Sequence, residues 1–411
     1  MSQYPAEDSQ SDYMPRPKRQ RQGVALCLSG GGFRASLFHL GALRRLNELG
    51  VLSRVDMISS VSGGSIISAH LAARLDPWPA GGTAAPGWET GISAPFRGYA
   101  AKNVRTPALL RRLLPCNWLR TGTGARALAR SYERNLARRG GTPLRLSDLP
   151  ERPRFIFCAT DMAFGVNWIS TREGVGDYQV GQALPTPAWT VGRAVAASSC
   201  FPPVFNPLPI ELAPGQFSGG LARGRADYGD CVEGLRLTDG GNYDNLGLEP
   251  VWKQAEFVLV SDGGGVFQAE PDRSLVWRLS RYTDILGNQV SALRKRWLIS
   301  NFILGELKGT YWGIGSDAAG YEGGAAGYSR ELVAEVISKV RTDLDAFSTP
   351  EASVLENHGY MMAEAAIKRH VPALAALPAP FTIPHPGWLD EGRVRCALAD
   401  SDKRIFPFGR W

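Results

Sequence analysis

The chain has 411 residues, 44% of them hydrophobic and 21% charged, and 46 Lys and Arg against 39 Asp and Glu give a formal net charge of +7. This usage excludes a collagen-like, coiled-coil or wholly disordered chain and leaves length enough for a sizeable core. No apolar run approaches the roughly 18 residues of a spanning helix, and residues 1–22 hold no apolar stretch with a cleavage site, so a protein neither Sec-exported nor integral is expected.

Residues 1–22 are polar and Arg-containing without hydrophobic periodicity, which predicts a disordered basic tail. Val24 to Leu28 is a short apolar run of the kind buried on both faces of a parallel sheet, and it ends in Ser29-Gly30-Gly31-Gly32. Leu37, Phe38, Leu40, Leu43, Leu46 and Leu49 then recur at spacings of three and four, predicting a helix over 34–49 stopped at Gly50. Val55 to Val61 reads as a second strand and Gly64 to Leu75 as a second helix, so this strand–helix alternation implies a right-handed crossover. Residues 77–100 are dense in Pro, Gly and Ala and read as an irregular loop, a candidate lid or substrate rim. A basic amphipathic helix is predicted over 125–139, strands over 154–160 and 167–171, and a small-residue helix over 191–199. Strands over 235–238 and 257–261 each run into Asp-Gly-Gly; beyond 272 the pattern is mostly helical, with one aromatic strand over 310–314. The alternation argues an α/β fold with a parallel or mixed central sheet flanked by helices.

The six cysteines, Cys27, Cys116, Cys158, Cys200, Cys231 and Cys396, form no C-x-x-C pair and no zinc-like spacing, which predicts free thiols in a reducing compartment.

Three glycine-marked turns fall at the predicted carboxyl ends of strands, where open α/β sheets place their ligands. In Ser29-Gly30-Gly31-Gly32-Phe33-Arg34-Ala35, residues without side chains leave backbone N–H groups to face an anion, and the following helix N-terminus adds partial positive charge. Ser60-Val61-Ser62-Gly63-Gly64 offers a serine in a tight strand-to-helix turn, with Ser60 where G-x-S-x-G has its first glycine. Thr238-Asp239-Gly240-Gly241 offers a carboxylate, and so does Asp262-Gly263-Gly264; residue physics alone leaves both acids open. Together the turns make a serine hydrolase without histidine: a desolvated carboxylate takes the hydroxyl proton while glycine amides hold the oxyanion.

These turns, in this order and spacing, resemble the patatin-like phospholipase family, whose signature is a G-G-G-x-R-G/A loop, a G-x-S-x-G nucleophile and a D-G-G/A acid. Ala196-Ala197-Ser198-Ser199-Cys200-Phe201-Pro202-Pro203 is similar to the family's A-S-x-x-x-P-P segment, and the resemblance covers about residues 23–265. It implies a three-layer sandwich that hydrolyses lipid carboxylic esters through a Ser–Asp dyad. Ser62 is then the nucleophile, Asp239 the base, and Gly30, Gly31 and Gly32 the oxyanion loop. It favours Asp239 over Asp262 because Asn245 and Pro250 follow Asp239 as in the family. Arg34 matches the family's basic residue after the loop, where a guanidinium pairs with a lipid phosphate or fixes the loop. The implied organisation is the tail at 1–22 and one domain over 23–411, with an insertion at 77–100 and a helical extension over 272–411. The implied partner is a lipid or phospholipid, and no metal or cofactor is called for.

Three other readings compete. Gly30-x-Gly32-x-x-Ala35 also fits a dinucleotide fingerprint, but the second strand ends in Ser-Val-Ser with Asp56 at its start, so the acid for a ribose is missing. His358, His370 and His385 follow Asp239 and allow a Ser-Asp-His triad, with His358 the first suspect. A lipid-binding protein of the same fold is the non-enzyme alternative. Diffuse basic charge at 16–21 and 102–145 carries no nucleic-acid motif, so no nucleic-acid partner is expected. Leu293-Arg294-Lys295-Arg296-Trp297-Leu298-Ile299, with Trp277, Phe302 and Trp312, has the residues of a peripheral membrane contact or of a packed helix, and a cytoplasmic protein visiting the membrane surface is expected.

Overall fold

In the computed structural model, residues 20–113, 122–184, 189–202, 204–272, 275–321 and 326–403 are described; most of the predicted tail, and Cys116, lie outside them. Ten strands make one mixed sheet: β1 (Val24–Leu28), β2 (Val55–Val61), β3 (Arg154–Asp161), β4 (Val166–Ser170), β5 (Val175–Asp177), β6 (Gly181–Ala183), β7 (Leu208–Pro209), β8 (Arg236–Asp239), β9 (Phe257–Asp262) and β10 (Lys308–Gly313). The path runs β10-β9-β1-β2-β3-β4-β5-β6. From β10 to β3 neighbours are parallel, and from β3 to β6 they are antiparallel.

Alternation along β1 sorts the two cores. Val24, Leu26 and Leu28 face the larger one, which holds helices α1 (Gly32–Glu48) and α2 (Gly63–Arg74); Ala25 and Cys27 face a smaller one with Leu246, Leu248, Val251 and Leu298. Helices α3 (Thr123–Asn135) and α4 (Val191–Ser199) also contribute to the larger core, and α5 (Leu275–Ile303) brings Leu298 to the smaller. The helix α6 (Thr349–His370) is buried over most of its length and lies so close to α1 that a Cβ on Gly41 would sit 1.8 Å from the Glu356 carbonyl oxygen, and one on Gly359 as close to that of Phe38. The predicted helical C-terminal extension thus packs α6 against α1 and β10 as part of the larger core.

One expectation changes. The segment 77–100 is irregular only in its first half: a π-helical turn at Glu89–Ser93 leads into a helix at Ala94–Ala100, whose Pro95 lies in the first turn where its missing N–H costs no bond. The expected parallel or mixed sheet is a mixed one, in which the strand ending in Asp239 is antiparallel to β3 and the strand ending in Asp262 is parallel to its neighbours. The five described cysteines are free thiols.

Candidate active site

The sheet register brings Ser62 and Asp239 together. Along β3, Cys158 is opposite Val61, the last residue of β2, and the next residue, Ala159, is opposite Asp239, the last of β8. The other edge of β3 is taken by β4 over these same residues, so β2 and β8 share one edge and meet end to end. A parallel strand and an antiparallel one thereby deliver their carboxyl ends, a serine and an aspartate, to one point.

Ser62 is the one described non-glycine residue with positive φ, at φ 49° and ψ −113°, a strained backbone of the kind a tight strand-to-helix turn imposes. It is half-buried at the start of α2. Its N–H donates to Ser198 Oγ (2.8 Å), while the Ser198 carbonyl accepts from Gly240 N–H (3.2 Å). One buried residue at the end of α4 therefore ties the serine turn to the acid turn. Thr160 holds the acid strand from the other side by donating its hydroxyl to the Asp239 carbonyl (2.8 Å).

The Asp239 carboxyl is buried. Its Oδ1 accepts from Gly241 N–H (2.8 Å), and Oδ2 has no hydrogen bond of regular geometry among the described residues. Burial lifts its pKa from 3.8 to about 6 against the opposing pull of the Gly241 amide and the Ser62 hydroxyl. Asp262 differs in every respect that matters. It is equally buried, but Lys295 Nζ (2.5 Å), the Tyr311 hydroxyl (2.8 Å) and Gly264 N–H (2.9 Å) outweigh burial and hold its carboxyl below the usual range. Of the two Asp-Gly-Gly acids, one is a satisfied ion pair and the other a carboxyl with no cation beside it, next to a serine.

The glycine loop packs directly on Ser62. A Cβ on Gly30 would stand 3.1 Å from Ser62 Cβ and 2.4 Å from Asn245 Oδ1, and Gly31 and Gly32 have φ of 142° and 58°, open to glycine alone without strain. The expectation that all three amides face an anion needs correction at Gly30, whose N–H donates to the Asn245 carbonyl (3.1 Å). The amides of Gly31 and Gly32 have no partner among the described residues, so of the three loop amides these two are open. Gly63, whose own Cβ would meet the Gly32 carbonyl at 2.2 Å, puts a third helix-terminal amide beside them.

Arg34 is buried beneath this loop. Its guanidinium donates to the carbonyls of Gly263 (3.2 and 3.1 Å) and Val340 (2.8 Å), so of its two predicted roles the geometry favours fixing the loop over meeting a lipid phosphate. His39 works from the same side. The Ser29 carbonyl can only accept, so His39 Nε2 carries the proton (3.0 Å) and Nδ1 accepts from the Ser261 hydroxyl (2.8 Å); burial drops its pKa to about 4 and keeps it neutral. His358 is remote in function: buried against the rings of Phe38 and Tyr328, it donates to the Ile314 carbonyl (2.9 Å). His385 pairs with Glu356 (2.8 Å). No described histidine reaches Asp239 in the manner of a triad, and no cluster of three metal-ligating side chains occurs among the described residues.

In the sequence Ser198 and Gly63 stand only as motif letters, Asn245 serves only to choose between the two acids, and His39 reads as a structural helix residue. Their partners are 136, 31, 215 and 10 residues away in sequence, respectively Ser62, Gly32, Gly30 and Ser29. A polar residue joining two distant loops leaves no local pattern.

A mixed sheet flanked by helices, with a strained serine, a glycine loop and a buried carboxyl at the meeting of its strand ends, defines a hydrolase-type α/β protein. Residues 26–252 match the family model of patatin-like phospholipases, and the chain belongs to that family. Among solved structures it is similar to human GIVD cytosolic phospholipase A2 (16% identity, 62% of this chain and 48% of that one, TM-score 0.38) and to VipD from Legionella pneumophila (15%, 86% and 67%, TM-score 0.36). The chain spans about half the length of that phospholipase A2. No curated protein matches it. Family membership supports a lipid hydrolase.

Proposed function

We propose that residues 23–411 form one patatin-like domain that hydrolyses carboxylic ester bonds of lipids through a Ser62–Asp239 dyad. The observation that carries this reading is the buried Asp239 carboxyl, without a cation partner among the described residues, at the point where two strand ends meet Ser62. In the forward step Asp239 Oδ2 takes the Ser62 proton as Oγ bonds to the acyl carbonyl carbon, and the carbonyl oxygen becomes an oxyanion. The amides of Gly31, Gly32 and Gly63, with the N-termini of α1 and α2 behind them, are the donors for that charge. Collapse breaks the bond to the leaving alcohol, which receives the proton from Asp239. Water then attacks the acyl-enzyme with Asp239 as base, and the fatty acid leaves with Ser62 restored.

A base of this kind needs a pKa near the working pH, and burial lifting Asp239 to about 6 supports the role. No metal enters these steps. The test is ester hydrolysis and fluorophosphonate labelling of the wild type and the Ser62→Ala, Asp239→Asn, Asp262→Asn and His358→Ala proteins. Loss confined to the first two variants is expected; hydrolysis surviving in folded Ser62→Ala, or equal loss in His358→Ala, overturns the dyad.

A further inference from the structure

We infer that the Asn245 carboxamide is a catalytic group of the second half-reaction: Oδ1 accepts a hydrogen bond from the attacking water while Asp239 takes that water's other proton, which selects water over alcohols as acceptor of the acyl group. The inference rests on the Ser62–Asp239 reading above. Asn245 follows the helical turn Gly241–Asp244 behind the acid, and its carbonyl accepts from Gly30 N–H (3.1 Å), which ties it to the glycine loop. Its side chain stands where three turns meet. A Cβ on Gly30 or on Gly241 would lie 2.4 or 2.8 Å from Asn245 Oδ1, and one on Gly264 would lie 2.9 Å from Nδ2. Glycines from three separate turns therefore leave room for this one amide and fix its place.

That place borders both members of the dyad. The Cβ position of Gly30, 2.4 Å from Oδ1, is 3.1 Å from Ser62 Cβ, and that of Gly241, 2.8 Å from Oδ1, is 3.0 Å from the Asp239 carboxyl. The amide oxygen is thus at most about 6 Å from either, a gap that one water closes with two hydrogen bonds of about 2.8 Å each. Asn245 is half-buried, and its side chain has no hydrogen-bond partner among the described residues. The other end of the amide faces the second acid, since the Cβ position of Gly264 lies against both Nδ2 (2.9 Å) and Asp262 Oδ1 (2.8 Å). Lys295 keeps Asp262 ionised, so this carboxylate draws the N–H end of the amide towards itself and leaves the acceptor facing the dyad.

Once Ser62 is acylated its hydroxyl no longer donates to Asp239, and two acceptors, the Asp239 carboxylate and Asn245 Oδ1, face each other with no described side-chain donor between them. Water has two protons and satisfies both. An alcohol has one, and leaves the Asn245 hydrogen bond unmade. In the step the water oxygen bonds to the acyl carbon, one proton passes to Asp239, and the other stays on that oxygen, hydrogen-bonded to Asn245 Oδ1. The bond from the acyl carbon to Ser62 Oγ then breaks, Asp239 returns its proton to Oγ, and the fatty acid leaves with the proton it retained.

The test is stopped-flow cleavage of p-nitrophenyl butyrate, whose leaving group needs no proton, in water and in dilute methanol, with butyric acid and methyl butyrate measured as products. Asn245→Ala is expected to release its first equivalent of p-nitrophenol at close to the wild-type rate, to turn over more slowly, and to shift the ratio of acid to methyl ester about tenfold towards the ester. Asn245→Leu, which fills the slot without an acceptor, should behave alike. Asn245→Asp, which keeps the acceptor, should keep the wild-type ratio whatever its rate. General damage to the site slows both products together and leaves the ratio unmoved. An unchanged ratio in Asn245→Ala or Asn245→Leu protein whose Ser62 still takes a fluorophosphonate overturns the inference, as does an Asn245→Asp ratio as low as theirs. The two readings fail separately: a wild type with neither a burst nor labelled Ser62 refutes the dyad, whereas a bursting, labelled wild type whose ratio survives loss of the amide refutes the role of Asn245 alone.

Discussion

Replacing Asp239 by Asn should abolish activity and stabilise the fold, and the two effects have one cause. The folded protein holds this carboxyl at about 6 against 3.8 in an exposed aspartate, chiefly through burial. Between those values the folded state keeps a proton that the unfolded chain releases, so stability falls as pH rises from about 4 to about 6 and is level above. At about 1.4 kcal/mol per tenfold change in proton affinity, ionised Asp239 penalises the fold by about 3 kcal/mol at pH 8, an upper figure. Asn has no charge to desolvate, and its amide oxygen can still accept from Gly241. Urea unfolding should therefore find Asp239→Asn more stable than wild type by about 2–3 kcal/mol at pH 8, with the gain shrinking towards pH 4. Asp262→Asn should do the reverse. There the carboxyl lies below its ordinary value, its contribution is present above about pH 4, and removing it leaves Lys295 without its anion. Hydrolysis by the wild type should rise through about pH 6 to a plateau, and Asp239→Asn should lose roughly 10²–10⁴ in rate. A stability gain independent of pH would refute the desolvation argument, and a loss at pH 8 would refute it outright.

Ser198→Ala leaves the Ser62 amide without its acceptor, which should cost about 1–3 kcal/mol of stability and let the elbow relax. Steady-state kinetics on a soluble ester should show kcat down roughly 10- to 100-fold with KM little changed, since the bond positions Ser62 and touches no substrate. Gly30→Ala forces a methyl to 2.4 Å from Asn245 Oδ1 and should cut labelling of Ser62 by a fluorophosphonate sharply; full labelling in a folded variant would show that the loop can move aside. Away from the site, burial and the charge of the nearby Asp161 push the Asp177 carboxyl up to about 7, so the folded protein holds a proton there that the unfolded chain releases. Stability from that proton is lost between about pH 4 and pH 7. Thermal unfolding of Asp177→Asn, which has no charge to desolvate at any pH, should therefore lack this part of the decline.

The amino-terminal half of the site was legible because its signals are local. A buried run, a glycine turn and a helix stop predict β1, α1, β2 and α2 within two residues, and α4 falls on 191–199 as read. The acid strand was legible as a strand but not in direction. Four residues running into Asp-Gly-Gly read alike whether the neighbour is parallel or antiparallel, and only the register of Asp239 against Ala159 shows how the carboxyl reaches Ser62. The family resemblance favours Asp239 over Asp262, but residue physics alone could not separate them, because what differs physically is Lys295 and Tyr311, downstream of both. The helix at 94–100 was hidden by its own composition: Pro95 and Gly98 count as breakers in a window, yet one stands in the first helical turn and the other faces open space.

Ser60 is the sharpest case of a departure from the family pattern that the surroundings absorb. Where the pattern places glycine two residues before the nucleophile, Ser60 is still a residue of β2, buried, with its Oγ donating to the Ile156 carbonyl (3.3 Å) and accepting from Ser65 Oγ (3.1 Å). Ser65 Oγ lies in turn 2.9 Å from Ser198 Oγ, the atom that receives the Ser62 amide. A hydroxyl at position 60 thus becomes the far end of a chain of three serines that ends on the strained residue itself. The close approach of strand and helix, which the pattern's glycines exist to permit, is secured by Gly64, where a Cβ would meet the Leu28 carbonyl oxygen at 2.1 Å. The steric demand of the elbow therefore falls on Gly64 and on the glycine loop, and the position before the nucleophile is left able to take a polar side chain that supports the turn.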